Sequence, residues 1–332
     1  MRASVIGLGS FGTALANILA SRCDEVRAWA REPAVVESIN VGRENRTYLP
    51  GIPVSPRVRA TLSLEEALAH SELVVFATPS HATRDVAGKA LHHLPLHVPL
   101  LTVAKGIENE TLLTMTQLLE DCLPEQYHPS VAILSGPSFA KEMAAGMPTV
   151  VTIAAHHHKV AERIQAALQT ESFRTYTSVD VIGVEMGGAL KNVIAIAAGI
   201  ADGLGFGLNA RSAVITRGLA EISRIAVAMG ANPLTLMGLA GLGDLVLTCT
   251  GDLSRNRRVG IELGKGRPLD QVLGEMTQVA EGVKTARSAR DLSRKIGVEL
   301  PICDQVHDIM YEGKSPRRAM IELMTRAPKR ED

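Results

Sequence analysis

The chain has 332 residues, of which 46% are apolar and 21% charged, enough apolar sequence to bury two packed domains. Its 35 basic residues balance 35 acidic ones and aromatic residues make up only 3%, so the overall balance gives no electrostatic reason to expect nucleic acid or an anionic membrane as partner, a local basic cluster aside, and argues against a stacking platform for single strands. Cys23, Cys122, Cys249 and Cys303 lie far apart with no C-x-x-C pair, which argues against zinc or dithiol chemistry and for reduced thiols in the cytosol.

The first element is a short buried strand, "ASVIG" (3–7), reached so early that no room is left for a secretory leader. No uncharged apolar run approaches about 20 residues. A cytoplasmic protein with no integral membrane association is therefore expected. Gly7, Gly9 and Gly12 then form G-x-G-x-x-G, and "GTALANILASR" (12–22) spaces Leu15, Ile18 and Leu19 as one helix face. A second strand, "EVRAW" (25–29), follows. Strand, glycine turn, helix and strand in this order suit a dinucleotide, whose diphosphate needs bare backbone and a helix N-terminus.

The second strand ends "RAWARE" (27–32), placing Arg31 and Glu32 together. An acidic residue at this point holds the adenosine ribose hydroxyls, whereas an arginine accommodates a 2′-phosphate. Spacing alone leaves open which of the two faces the ribose. Further buried parallel strands are expected at 72–79, 99–106, 131–137 and 149–155, and "TSVDVIGVE" (177–185) is the last strand-like run. The carboxyl ends of these strands collect Ser10, Ser80, Lys105 and Ser138 on one edge of the sheet. His92, His93 and His156 to His158 are consecutive, so their side chains diverge; they read as solvated surface, with no metal site expected.

Beyond residue 180 the pattern becomes helical, at 187–204, 209–230 and 281–297. The expected fold class is α/β: an N-terminal Rossmann-type doubly wound sheet, residues 1–180, followed by a mostly α-helical C-terminal domain, residues 181–332. Between Met186 and Ala201 the only ionisable side chain is Lys191. Desolvation of such a lone lysine would favour its neutral amine and make it a usable acid or base; the competing reading is a lysine that snorkels to solvent. Gly187, Ala195 and Gly199 share its face at i±4 spacing and leave room for a ligand or another helix. Further on, Asp244 sits in apolar sequence, and "DLSRNRR" offers Ser254, Arg255 and Asn256 at a turn or helix start. Arg255 there suits a phosphate, although a solvated basic surface or a nucleic-acid patch is the competing reading.

Taken together, "GLGSFGTALA", "VAKGIE", "SGPSFAKE", "EMGGALKNVIAIAAGIADGLGFGLNARSA", "LAGLGDLVLTCTGDLSRNRRVG" and "VAEGVKT" closely resemble the bacterial NAD(P)-dependent sn-glycerol-3-phosphate dehydrogenases. The resemblance holds from residue 3 to near residue 320, in the family's order and approximate spacing. It implies reversible hydride transfer reducing dihydroxyacetone phosphate to sn-glycerol 3-phosphate for phospholipid synthesis. It further implies Lys191 as the general acid/base, with Lys105, Gly136, Ser138, Asn192, Asp244, Thr248, Ser254, Arg255 and Asn256 beside the substrate. For the cofactor it implies Ser10, Phe11, Arg31, Lys105, Ala140, Arg255, Val279 and Glu281 besides the glycines of the turn. Phe11 stands where the family often has Trp. Placing Arg31 at the cofactor makes NADPH the preferred dinucleotide with NADH usable. Oligomeric state stays open, a homodimer among the options. Two other classes fit parts of the pattern: a hydroxyacid dehydrogenase, which would recognise a carboxylate, and a dinucleotide-sensing regulator, which would not need the desolvated lysine.

Overall fold

The computed structural model describes residues 1–276, 278–328 and 330. They form two compact units, residues 1–108 with 113–185, and residues 109–112 with 186–332. The first unit alternates strands and helices: β1 (Arg2–Ile6), α1 (Ser10–Arg22), β2 (Glu25–Trp29), α2 (Pro33–Asn40), a small hairpin of β3 (Glu44–Asn45) and β4 (Leu49–Pro53), then β5 (Val58–Thr61) and α3 (Leu64–Leu68). Next come β6 (Leu73–Phe76), α4 (Thr83–Ala90), β7 (Leu100–Thr102), α5 (Met115–Cys122), β8 (Val131–Ser135), α6 (Ala140–Ala144), β9 (Thr149–Ala155), α7 (His158–Leu168) and β10 (Phe173–Ser178). Eight strands form one sheet in the order β10-β9-β8-β7-β6-β1-β2-β5.

Both faces of that sheet are covered, and the period of two along each strand supplies both cores. Ala3, Val5, Leu73 and Val75 pack with Leu15, Leu19 and Ile164, while Ile6, Val74 and Phe76 pack with Val86, Leu119 and Tyr127. The chain builds outward from β1 through β2 to β5, then restarts on the other side of β1 with β6 and β7. This reversal of direction creates a switch point between β1 and β6, where sheets of this kind bind ligands.

One expectation is corrected. The run 149–155 is not parallel to the strand before it: β9 pairs antiparallel with β8, Ile133 opposite Ala154, and only then does β10 run parallel to β9. The link between β8 and β9 folds into the five-residue α6, packed against α1, rather than into a helix that crosses the sheet. Without a full crossover the chain returns in the opposite sense. The stretch 177–185 also divides, its start completing β10 and Val181 opening a helix.

That helix, α8 (Val181–Gly203), is buried along almost its whole length. Near its start Glu185 accepts hydrogen bonds from the Thr114 hydroxyl, the Thr116 amide and the Thr116 hydroxyl, each at 2.7 Å, so its carboxylate sits on the N-terminus of α5. The second unit continues with α9 (Gly207–Ala228), α10 (Pro233–Leu236), a π-helical turn at Leu239–Gly243, α11 (Asp244–Thr250) and α12 (Arg255–Gly264). It closes with α13 (Leu269–Gly274), α14 (Glu281–Ile296), α15 (Pro301–Tyr311) and α16 (Pro316–Met324), so the part read as helical is helical.

Two glycine pairs, Gly199 with Gly203 on α8 and Gly260 with Gly264 on α12, bring these helices into backbone contact. A Cβ at Gly260 would lie 2.1 Å from the Ile196 carbonyl oxygen, and one at Gly199 the same distance from that of Arg257. The small-residue face noted in the sequence is thus filled by protein: Gly187 receives the Ala240 carbonyl in the same way. Gly260→Ala must therefore move backbone and should lower stability by more than about 2 kcal/mol, whereas Gly88→Ala, in open space within α4, should raise it by about 0.5–1 kcal/mol. Urea midpoints moving in the same direction for both variants would contradict this packing.

Glu221 on α9 is buried with its carboxylate at the N-terminus of α15, accepting from the Ile302 amide at 2.7 Å and the Cys303 amide at 3.3 Å. Burial outweighs these donors and raises its pKa from 4.5 to about 7. The folded state then holds this proton more tightly than the unfolded chain does. Stability should fall as pH rises from about 4.5 to about 7 and be flat for this group above that. Glu221→Gln should flatten that decline in denaturation midpoints measured across the same window.

Candidate active site

The candidate residues fall into two groups, one in each unit. In the first unit the glycine turn leaves β1 at the switch point. Gly7 has φ +111° and donates its N–H to the Trp29 carbonyl at 2.9 Å; a Cβ there would stand 2.7 Å from the Ala77 carbonyl oxygen. One at Gly12 would lie 1.9 Å from Gly7 O, whereas one at Gly9 would meet nothing within 4 Å. Gly7 and Gly12 thus fold the turn, and Gly9 leaves open space at the N-terminus of α1, which no side chain caps. A dinucleotide diphosphate fits such a place, where backbone N–H groups and the helix dipole favour an anion.

Around this turn stand the other first-unit candidates. Lys105, following β7, donates from Nζ to the Gly136 carbonyl at 3.1 Å and lies 6.0 Å from the Phe11 ring centroid. Ser138 donates to the same carbonyl at 2.8 Å. Gly136, at φ +141°, has its missing Cβ 2.9 Å from Val151 Cα, so only glycine lets the chain after β8 pass β9. Ala140 opens α6. Ser10 donates to the Tyr48 carbonyl at 2.5 Å, and Arg31, largely exposed, pairs with Glu32 at 3.1 Å.

In the second unit Lys191 is 6% exposed, but it is not a lone charge. Its ammonium donates to Asp244 Oδ1 and, at 2.9 Å, to Thr248 Oγ1, while the Thr248 hydroxyl itself donates to the Asp244 carbonyl at 2.6 Å. The sequence reading of an uncompensated amine is corrected here. Asp244 is distant along the chain yet heads α11, and Thr248 follows one helical turn later, so both face α8. The ammonium neither reaches solvent nor lacks a counter-charge. Cys249 next to them is an inert thiol, its pKa pushed up to about 12 by burial, with Lys191 opposing the shift.

Arg255, Asn256 and Ser254 do mark a helix start. The Ser254 hydroxyl caps α12 by accepting from the Arg257 amide at 3.2 Å. Asn256 bridges three helices: its Nδ2 donates to Asn192 Oδ1 at 2.9 Å, and its Oδ1 accepts from the Gly282 amide at 3.0 Å. Each partner is the chain neighbour of a candidate, Lys191 or Glu281. Arg255 keeps an exposed side chain; the surrounding protein lowers its pKa by desolvation, and Glu281 acts the other way. Val279 is exposed just before α14, whose first residue is Glu281. His92, His93 and the triplet 156–158 are exposed, and among the described residues no three His, Cys, Asp or Glu side chains gather as a metal site.

Sequence reasoning missed Thr248 as the second partner of Lys191, and missed Tyr48. The i, i+4 relation of Asp244 to Thr248 on a helix was the available signal for the former. For Tyr48 the only signal was the rarity of tyrosine, four in the chain.

A switch-point glycine turn on a mostly parallel sheet, followed by a helical unit with a buried, carboxylate-paired lysine, defines a nucleotide-dependent oxidoreductase architecture. Two family models match: the NAD-dependent glycerol-3-phosphate dehydrogenase N-terminus over residues 2–161 and the corresponding C-terminus over 180–321. The chain belongs to this family. Among its relatives is a glycerol-3-phosphate dehydrogenase [NAD(P)+] of Myxococcus xanthus, 71% identical over 331 residues and covering 100% of this chain and 99% of that one. Another, of Anaeromyxobacter dehalogenans, is 54% identical over the full length of both. A crystal structure of glycerol-3-phosphate dehydrogenase from Coxiella burnetii superposes with a TM-score of 0.92 at 36% identity, covering 98% of this chain and 99% of that one.

If Lys191 and Asp244 compensate each other, removing one strands the other. Lys191→Met should cost about 3 kcal/mol by leaving the Asp244 carboxylate in apolar surroundings, and adding Asp244→Leu should recover most of the loss. Losses that simply add in thermal denaturation would show that the two groups do not act as a pair.

Proposed function

We propose that this protein catalyses the reversible reduction of dihydroxyacetone phosphate to sn-glycerol 3-phosphate, with NADPH preferred and NADH usable. The observation that carries the reading is the buried Lys191 ammonium, held by Asp244 and Thr248. Reduction of a ketone builds negative charge on oxygen, which a fixed ammonium stabilises and then neutralises by giving up a proton. Asp244 and Thr248 orient Nζ and balance its charge before the substrate arrives. In the oxidative direction the deprotonated amine takes the hydroxyl proton. The nicotinamide, when bound, supplies or accepts the hydride.

Remote binding energy comes from phosphate. Arg255 offers a planar fork of donors at the start of α12, and anchoring there would orient the reacting carbon without touching it. Lys105, Gly136, Ser138, Asn192, Thr248, Ser254 and Asn256 are assigned to the substrate as well. Gly7, Gly9, Ser10, Phe11, Gly12, Arg31, Lys105, Ala140, Arg255, Val279 and Glu281 are assigned to the cofactor. Support comes from the names of the full-length relatives and from the open space at Gly9. The product is the glycerol backbone of phospholipids, so we assign the protein to their synthesis, in the cytoplasm. The burial of α8 within the protein favours a core role for that apolar helix over a membrane one. A homodimer is kept within this reading, and no nucleic-acid partner is.

In an assay following reduced nicotinamide at saturating NADPH, Arg255→Ala should raise KM for dihydroxyacetone phosphate about tenfold or more while changing kcat/KM for unphosphorylated dihydroxyacetone little. Lys191→Arg, which keeps a cation beside Asp244 but holds its proton, should lower turnover at least about a hundredfold with NADPH binding retained. Equal losses for both ketones would remove Arg255 as phosphate anchor, and near-normal turnover would remove Lys191 from proton transfer.

A further inference from the structure

The β3–β4 hairpin is a separate two-stranded sheet beside the main one, and Asn45 and Tyr48 tie it to the glycine turn. Asn45 is fully buried; its Nδ2 donates at 2.8 Å both to the Leu8 carbonyl and to the Thr13 hydroxyl, and its Oδ1 accepts from the Tyr48 amide at 3.1 Å. From the other side the Ser10 hydroxyl donates to the Tyr48 carbonyl. The backbone of Tyr48 is therefore pinned to the turn at both its polar groups. Its side chain is carried to the end of β2, where the phenol donates to Glu32 Oε1 at 3.3 Å. Arg31 Nη2 donates to the same oxygen at 3.1 Å.

Two neighbours with opposite preferences thus stand at the position that reads the adenosine ribose. A free carboxylate would bind the ribose hydroxyls and repel a 2′-phosphate, whereas an arginine would accept that phosphate. Which of them prevails depends on where each is held. Glu32 is drawn toward the hairpin and takes two hydrogen bonds on one oxygen, while the Arg31 side chain remains 83% exposed. Burial and the Glu32 carboxylate both raise the pKa of the phenol, which keeps it a donor across the neutral range.

We propose that Tyr48 is a specificity-determining residue for the dinucleotide: its hydroxyl holds Glu32 on the hairpin, so that Arg31, paired to that carboxylate through Nη2, keeps the rest of its exposed guanidinium for the 2′-phosphate of NADP(H). The inference rests on the reading that the β2 end faces the ribose. It acts on both cofactors at once. Releasing Glu32 would restore a partner for the NAD(H) ribose hydroxyls and bring a repelling charge toward a 2′-phosphate.

Tyr48→Phe tests this with little risk to folding, because the amide and carbonyl that pin the hairpin are backbone groups. NADP+ and NAD+ are titrated against the full chain by calorimetry, so the readout is binding rather than turnover. Tyr48→Phe should raise the ratio of Kd for NADP+ to Kd for NAD+ about tenfold, the scale of one hydrogen bond to a charged group. In a Glu32→Gln background the same change should move the ratio less than about twofold, since a neutral amide no longer repels phosphate. An unchanged ratio in Tyr48→Phe overturns the proposal, as does an equal shift with and without Glu32, which would mean that the phenol acts on its own. Failure of the wild-type chain to bind either dinucleotide overturns the cofactor reading and this inference together. A lost preference confined to Arg31→Ala, with Tyr48→Phe silent, overturns this inference alone.

Discussion

The contact on which the second unit depends is made by backbone. Gly199 and Gly203 on α8 meet Gly260 and Gly264 on α12 so closely that carbonyl oxygens of each helix occupy the space where the other would carry Cβ atoms. At that separation the rise of each helix, rather than the fit of side chains, sets the spacing between them. Lys191 lies about two turns before Gly199, and Arg255 opens the helix that carries Gly260. The bridge from Asn256 to Asn192 and to the Gly282 amide adds α14 to the same frame. Lys191, Asn192, Arg255, Asn256 and Glu281 are thereby carried by helices whose mutual positions leave little slack.

The first unit uses missing side chains in two opposite ways. Gly7, Gly12 and Gly136 admit neighbouring backbone, so their bareness is spent inside the protein, while Gly9 faces open space and leaves its surface for a ligand. The motif in the sequence treats these glycines alike. Only the surroundings separate the ones that build the turn from the one that presents it.

That difference describes how far the sequence could be read. The alternation of short apolar runs with amphipathic helices gave the sheet, and the loss of that alternation after β10 gave the helical part, because both follow from local periodicity. The reversal between β8 and β9 was not legible: "VAILS" is buried throughout and "TVVTIAA" is an almost unbroken apolar run, and such runs look the same whichever way the strand points. The hairpin escaped notice since "LPGIP" holds two prolines and shows no alternation. Lys191 was legible as an anomaly, but its partners Asp244 and Thr248 lie 53 and 57 residues away, beyond any local pattern, so the lysine was mistaken for a lone charge. The small-residue face beside it pointed to close approach without saying of what.

Because those four glycines abut backbone, they differ from the rest of the core in how they can evolve. A leucine or valine in the sheet can be exchanged for another apolar residue while its neighbours repack, and such drift is slow but open. At residues 199, 203, 260 and 264 no neighbour can yield except a whole helix. Two lineages of this chain could therefore diverge widely in surface and core and still inherit the separation of Lys191 from Arg255 as one indivisible character. Under the proposed roles, the reach between Lys191 as proton donor and Arg255 as phosphate anchor, and with it the length of substrate that fits, would be fixed by positions that touch neither.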